Sequence, residues 1–165
     1  MSFDLRTFRD TLGLFVTGVT IITTRDADGA PVGITANSFN SVSLEPPLIL
    51  WSVGLKALSL PAFAAAQNFA VHILRDDQAE LSQRFARSGI DKFSGLAVEH
   101  GLGDAPLLPD CAARLECAWH AKHAAGDHVL FIARVDRLIS DPEAMPLVYH
   151  GGRHAELSDK PEIAS

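Results

Sequence analysis

The chain has 165 residues, 47% of them hydrophobic and 21% charged, with a formal net charge of -6. That composition suits a single globular domain with one sizeable core and lies far from the apolar-poor signature of disorder. The acidic balance and the lack of Lys/Arg runs exclude an electrostatic footprint for a nucleic-acid backbone.

Asp4 and Asp10 interrupt the apolar N-terminus, and no stretch of about 18 apolar residues follows, so a soluble, cytoplasmic protein without a secretion signal or membrane span is expected. Ser2 is expected to cap a first helix in which Leu5, Phe8, Leu12 and Phe15 recur at spacings of three and four, with Gly18 ending it. Val19 to Arg25 is rich in Val, Ile and Thr. With the turn Asp26-Ala27-Asp28-Gly29 and the segment Val32 to Asn37 it predicts a β-hairpin. Ser41 to Leu44 continues extended, Pro46-Pro47 breaks the ladder, and Leu48 to Val53 reads as a buried strand.

Ala57 to Gln67 predicts a short helix with Pro61 in its first turn, where a missing N–H is tolerated. Phe69 to Leu74 returns to strand. Asp76 or Asp77 is expected to cap a further helix carrying Leu81, Arg84 and Phe85 and closed by Gly89, and Gly95 to Pro109 reads as loop. From Ala113 the sequence alternates, with Leu115, Cys117, Trp119 and Ala121 on one side and Arg114, Glu116, His120 and Lys122 on the other. Ala124-Ala125-Gly126-Asp127 then turns the chain into a strand from His128 to Ile139, whose Val129, Phe131, Ala133 and Val135 share a face. Cys111 and Cys117 read as positions of one strand, roughly 20 Å apart, too far to form a disulfide.

Six or so strands with a few short helices and no β-α alternation favour a mainly β, closed antiparallel barrel over a doubly wound sheet. One domain over residues 1–157 and a loose tail over 158–165 are expected.

The segment from Gly33 to Leu48 concentrates small hydroxyl and amide side chains beside a strand end. Such groups give neutral donors to an anionic or heteroaromatic ligand, or satisfy their own turns. Its Thr35-Ala36-Asn37-Ser38 and Ser43-Leu44-x-Pro46-Pro47 runs, with the later Gly126-Asp127-His128, resemble the flavin reductase family of split-barrel flavoproteins. The resemblance runs from Thr17-Gly18-Val19-Thr20 to Tyr149-His150-Gly151-Gly152.

That resemblance implies a six-stranded antiparallel Greek-key split β-barrel, FMN or FAD as the flavin, and NADH or NADPH as hydride donor. It assigns flavin contacts to Thr35, Ala36, Asn37 and Ser38 and, after the double proline, to Ser52, Val53, Lys56 and Ser59. Relatives carry a denser Ser/Thr cluster where this chain has Lys56-Ala57-Leu58-Ser59. Lys92 and Phe93, in Asp91-Lys92-Phe93-Ser94-Gly95, correspond to a segment near the flavin and nicotinamide, and His128 to a residue lining the nicotinamide cavity.

The activity implied is an NAD(P)H:flavin oxidoreductase whose reduced flavin reaches a partner monooxygenase by diffusion; the alternative is a non-enzymatic FMN-binding protein on the same barrel. A homodimer with the flavin between subunits is implied too, with Trp119 and Phe131 as candidates for a shared core or for the interior of one barrel. No metal is expected, since His120 and His123 are an odd number of residues apart and point to opposite faces of a regular strand.

Overall fold

The computed structural model describes residues 2–157, so the tail expected over 158–165 lies outside the described residues. Helix α1 (Leu5–Leu12) is followed by strands β1 (Thr17–Gly18), β2 (Thr20–Arg25), β3 (Pro31–Ala36), β4 (Asn40–Leu44) and β5 (Pro47–Gly54). Helix α2 (Leu60–Ala65) and β6 (Asn68–Ile73) come next, then a 3-10 turn (Asp76–Gln78) that leads into α3 (Ala79–Ala86). Two short strands, β7 (Glu99–His100) and β8 (Pro106–Leu107), precede the long β9 (Ala113–Ala125) and β10 (His128–Ser140), and β11 (Val148–His150) and β12 (Arg153–Ala155) complete the described chain.

The sequence placed the helix ends less well than the strands. The α1 cap is Asp4, whose carboxylate accepts the Thr7 N–H at 2.7 Å, and the helix stops at Gly13 rather than Gly18. Phe15 therefore falls outside it, because Thr17 and Gly18 pair with Tyr149 and Val148 as β1. Ahead of α3, the Arg75 N–H donates to Gln78 Oε1, so the capping position is Arg75 and not Asp76 or Asp77. Helix α3 ends before Gly89, where Arg87 turns extended at φ -78° and ψ 146°. The segment expected as loop over 95–109 contains the small β7–β8 ladder. Cys111 precedes β9 instead of lying in it, and both cysteines are free thiols.

One antiparallel sheet has seven strands in the order β3-β2-β6-β9-β10-β5-β4, and a three-stranded sheet has the order β1-β11-β12; β3 and β4 are end strands that do not pair with one another, so the larger sheet is not the closed barrel expected. The seventh strand beyond the expected six is β4, which hangs on the edge of β5 and buries none of its residues. The other six share one interior: Ile22, Trp51, Val53, Phe69, Val71, Cys117, Phe131 and Ala133 form its buried cluster, and Val32 and Ile34 of β3 pack against it.

Trp51 stacks on Phe131 with ring centroids 4.9 Å apart and meets Phe63 edge-on at 4.9 Å. Trp119 lies 4.6 Å from Phe131, and its indole N–H donates to the Ala66 carbonyl. Trp119 and Phe131 therefore pack within one chain. Truncating the fully buried Phe131 ring costs about 3–5 kcal/mol. Strand β2 is buried on both faces, with Ile22 in this interior and Ile21 in a second cluster with Leu74, Phe85 and Leu108. Among the described residues no helix is long and apolar enough to cross a membrane.

Candidate functional site

Strand β3 borders two clefts. Its alternation sends Ile34 and Ala36 against the interior and brings Thr35, with Asn37 just beyond the strand end, to a cleft of about 530 Å³. Thr35 Oγ1 donates to the Ser82 carbonyl at 2.6 Å, which ties β3 to α3 and fixes that wall. The Asn37 amide makes no hydrogen bond to the described residues and also borders a neighbouring cleft of about 620 Å³ against α1.

The opposite wall is the β11–β12 hairpin. Gly151 and Gly152 form its two-residue turn with φ of 58° and 80°, a conformation that favours glycine at both positions. Tyr149 and His154 face one another in the register, their rings 5.9 Å apart and edge-on. His154 Nε2 lies 3.2 Å from Ser82 Oγ, so hairpin and helix meet across the cleft. No Asp or Glu lines this cleft, and its basic side chains are Arg153 and His154.

The second cleft, about 240 Å³, brings together Ser59, Lys92 and Phe93 beside Gly33. Lys92 Nζ donates to the Gly33 carbonyl at 2.9 Å and the Phe85 carbonyl at 2.8 Å, which engages two of its three N–H groups. Burial holds the Lys92 ammonium below its ordinary pKa. Phe93 meets Phe85 edge-on at 5.0 Å, and a Cβ on Gly33 would sit 2.5 Å from the Phe85 ring, so glycine is what lets α3 approach β3. Ser59 precedes α2 without a side-chain capping bond, leaving its hydroxyl to the cleft.

The remaining sequence candidates are dispersed. Ser38 Oγ accepts the Ser52 N–H at 2.9 Å and donates to the Ser52 carbonyl at 3.2 Å, so this hydroxyl joins the β3–β4 connection to β5. The Ala36 carbonyl accepts Thr20 Oγ1 at 2.7 Å and Ala36 pairs with Thr20 of β2, while the Val53 side chain belongs to the core and Val53 pairs with Val129 of β10. Lys56 lies in the turn after β5, where its charge helps hold the Asp127 carboxyl low. His128 opens β10 opposite Gly54 with Nδ1 2.7 Å from Asp127 Oδ1, and it lines none of the three clefts. The His128 hydrogen bond is the main reason that the Asp127 carboxyl lies below its usual range.

Sequence reasoning missed Ser82, Arg153 and His154. The one available signal was the Gly151-Gly152 pair, since a two-glycine turn marks a hairpin whose flanking residues face one another. Among the described residues no three His, Cys, Asp or Glu side chains gather in a way that could hold a metal ion.

Residues 12–158 match the flavin reductase like domain family. An FMN reductase (NADH), SmoA, of Agrobacterium fabrum is 43% identical over 153 residues, 93% of this chain and 86% of that protein. The reductase subunit HsaB of a flavin-dependent monooxygenase of Rhodococcus jostii is 39% identical, over 94% of this chain and 80% of its own length. The solved structure of the Streptomyces globisporus NADH:FAD oxidoreductase SgcE6 in complex with NAD and FAD fragments superposes with a TM-score of 0.90 at 35% identity, covering 96% of each chain. The Thr35 to Ser38 strand end and the hairpin facing it thus lie inside the matched span, and the chain belongs to the flavin reductase like domain family.

Proposed function

We propose that this protein is an NAD(P)H:flavin oxidoreductase that passes a hydride from NADH to FMN or FAD and supplies the reduced flavin to a partner monooxygenase. The observation that carries the reading is the 530 Å³ cleft, where an uncommitted Asn37 amide, Gln83, a Tyr ring, an imidazole and a guanidinium meet without a carboxylate. That donor set fits a ligand that is aromatic, rich in carbonyl acceptors and anionic at one end. The SmoA and SgcE6 relatives, by name an FMN reductase (NADH) and an NADH:FAD oxidoreductase, point to the same chemistry.

The bound flavin and dihydronicotinamide would themselves supply the hydride chemistry, so the protein's part is proximity and orientation. Thr35, Ala36, Asn37 and Ser38 would hold the flavin through the β3 backbone and the Asn37 amide, with Ser52, Val53, Lys56 and Ser59 continuing the contact toward the second cleft. In that cleft Lys92 acts as a strut between β3 and α3, and Phe93 as an apolar wall. His128 is the proposed nicotinamide-side residue: with Nδ1 bonded to Asp127, its Nε2 is left to face a ligand.

The rolled sheet is read as a six-stranded Greek-key split barrel within one domain over residues 1–157, with β4 as an added edge strand. A homodimer is supported by the large apolar side chains exposed along the N-terminal segment, among them Leu5, Phe8, Leu12, Leu14 and Phe15. The test is to identify the flavin released from the purified protein and to measure steady-state oxidation of NADH and NADPH with FMN and with FAD. Flavin-dependent oxidation of at least one nucleotide is expected; none with any of the four pairs refutes the reading.

A further inference from the structure

We infer that Arg153 is the anion anchor of the 530 Å³ cleft and takes a phosphate group of a nucleotide ligand, carried either by the flavin or by the hydride donor. The inference rests on the functional reading above for the identity of the ligand, and on this chain's own side chains for the rest. The chain carries 20 Asp and Glu residues, yet none lines this cleft. In a chain of net charge -6, a cleft without acids that presents the Arg153 guanidinium favours an anion.

Of the cleft's two basic side chains, His154 is engaged with Ser82 Oγ at 3.2 Å and with the Tyr149 ring. The Arg153 guanidinium makes no hydrogen bond or ion pair with the described residues. The lysine that sequence reasoning places near the ligand, Lys92, lines the second cleft and has its ammonium on two carbonyls. Arg153 is therefore the uncommitted charge at the cleft. Its planar fork of donors matches phosphate oxygens two at a time.

Arg153 is also presented from a fixed position. It pairs with His150 across the Gly151-Gly152 turn, β11 pairs with β1, and the Gly151 N–H donates to the Gly13 carbonyl at 2.9 Å, tying the turn to the end of α1. A side chain carried on a fixed strand position loses less freedom on binding than one on a loose loop.

The test compares Arg153→Ala and Arg153→Lys with the parental protein on two pairs of probes. Fluorescence titration uses FMN against riboflavin, and steady-state reduction uses NADH against 1-benzyl-1,4-dihydronicotinamide, which has no phosphate. Arg153→Ala should weaken the phosphate-bearing member of one pair by about tenfold, the low end for a charged hydrogen bond at an exposed residue, and leave its phosphate-free partner unchanged. Arg153→Lys should fall in between. Loss confined to FMN assigns the flavin phosphate, and a raised KM confined to NADH assigns the donor's. Equal effects within both pairs, whether zero or accompanied by a lower melting temperature, overturn the inference. If the parental protein reduces no flavin but Arg153 still separates FMN from riboflavin, the reductase reading fails and the anion site stands.

Discussion

The Nε2 of buried His72 accepts the backbone N–H of Leu108 at 3.0 Å. Its Nδ1 lies 3.0 Å from the Ile21 carbonyl, so one neutral imidazole joins β6, β2 and the segment after β8. Burial pushes the His72 pKa down to about 4 from an ordinary 6.5; the charge of Arg114, paired with it across the β6–β9 ladder, acts in the same direction, and the Ile21 carbonyl opposes both. Below pH 6.5 the unfolded chain takes up a proton that the folded chain refuses. This contribution is therefore complete above about pH 6.5 and is lost as the pH falls toward 4, by about 3 kcal/mol in all. Urea unfolding of the parental protein and of His72→Gln between pH 7.5 and 4.5 checks this. The variant should be less stable at pH 7.5 and show a flatter pH dependence; equal slopes would remove His72 as the source.

Asn37 and Ser38 are neighbours with different work. Asn37→Ala should weaken flavin binding several-fold to about tenfold at unchanged stability, since its amide has no protein partner to lose. Ser38→Ala breaks both hydrogen bonds to Ser52 and should lower stability by about 1–3 kcal/mol. Paired flavin titrations and melting curves separate the two effects, and a destabilised Asn37→Ala with parental affinity would reverse the assignment.

Much of this arrangement was legible in the sequence, and the limits were physical. The β2–β3 hairpin and the β9–β10 pair follow from runs of Val, Ile and Thr and from period-two alternation around clear turns. Alternation within β9 fails at His120, because Ile132 faces Ala121 while Ala133 faces Trp119, and no residue type there announces the bulge. Strands β7 and β8, two residues each, leave no periodicity to read. Thr35 and Asn37 could be named from a local run. Ser82 and His154 could not, since they meet only through contacts spanning 47 and 72 residues.

Lys92 holds two carbonyls, so its removal should show first in stability. Lys92→Met is expected to cost about 2 kcal/mol and to loosen α3 against β3, with flavin affinity following only as far as the cleft deforms. Hydrogen exchange of the α3 amides in the variant should rise. A variant with parental melting temperature and exchange, but lost flavin binding, would make Lys92 a direct ligand group instead.

His128 is partly exposed and its side chain bonds only to Asp127, so His128→Ala should leave the melting temperature unchanged. Reduction by NADH should slow by about a hundredfold, because holding the donor over the flavin depends on geometry at the level of 1 Å. Rate constants measured on flavin-saturated protein decide this, and a parental rate takes His128 out of the site.

The central claim is that this chain passes a hydride from a nicotinamide nucleotide to a flavin, and anaerobic stopped-flow mixing of the flavin-loaded protein with NADH tests it most directly. Loss of the oxidised flavin absorbance on a catalytic timescale is the predicted result. Flavin that stays oxidised through mixing with NADH and then with NADPH would contradict it.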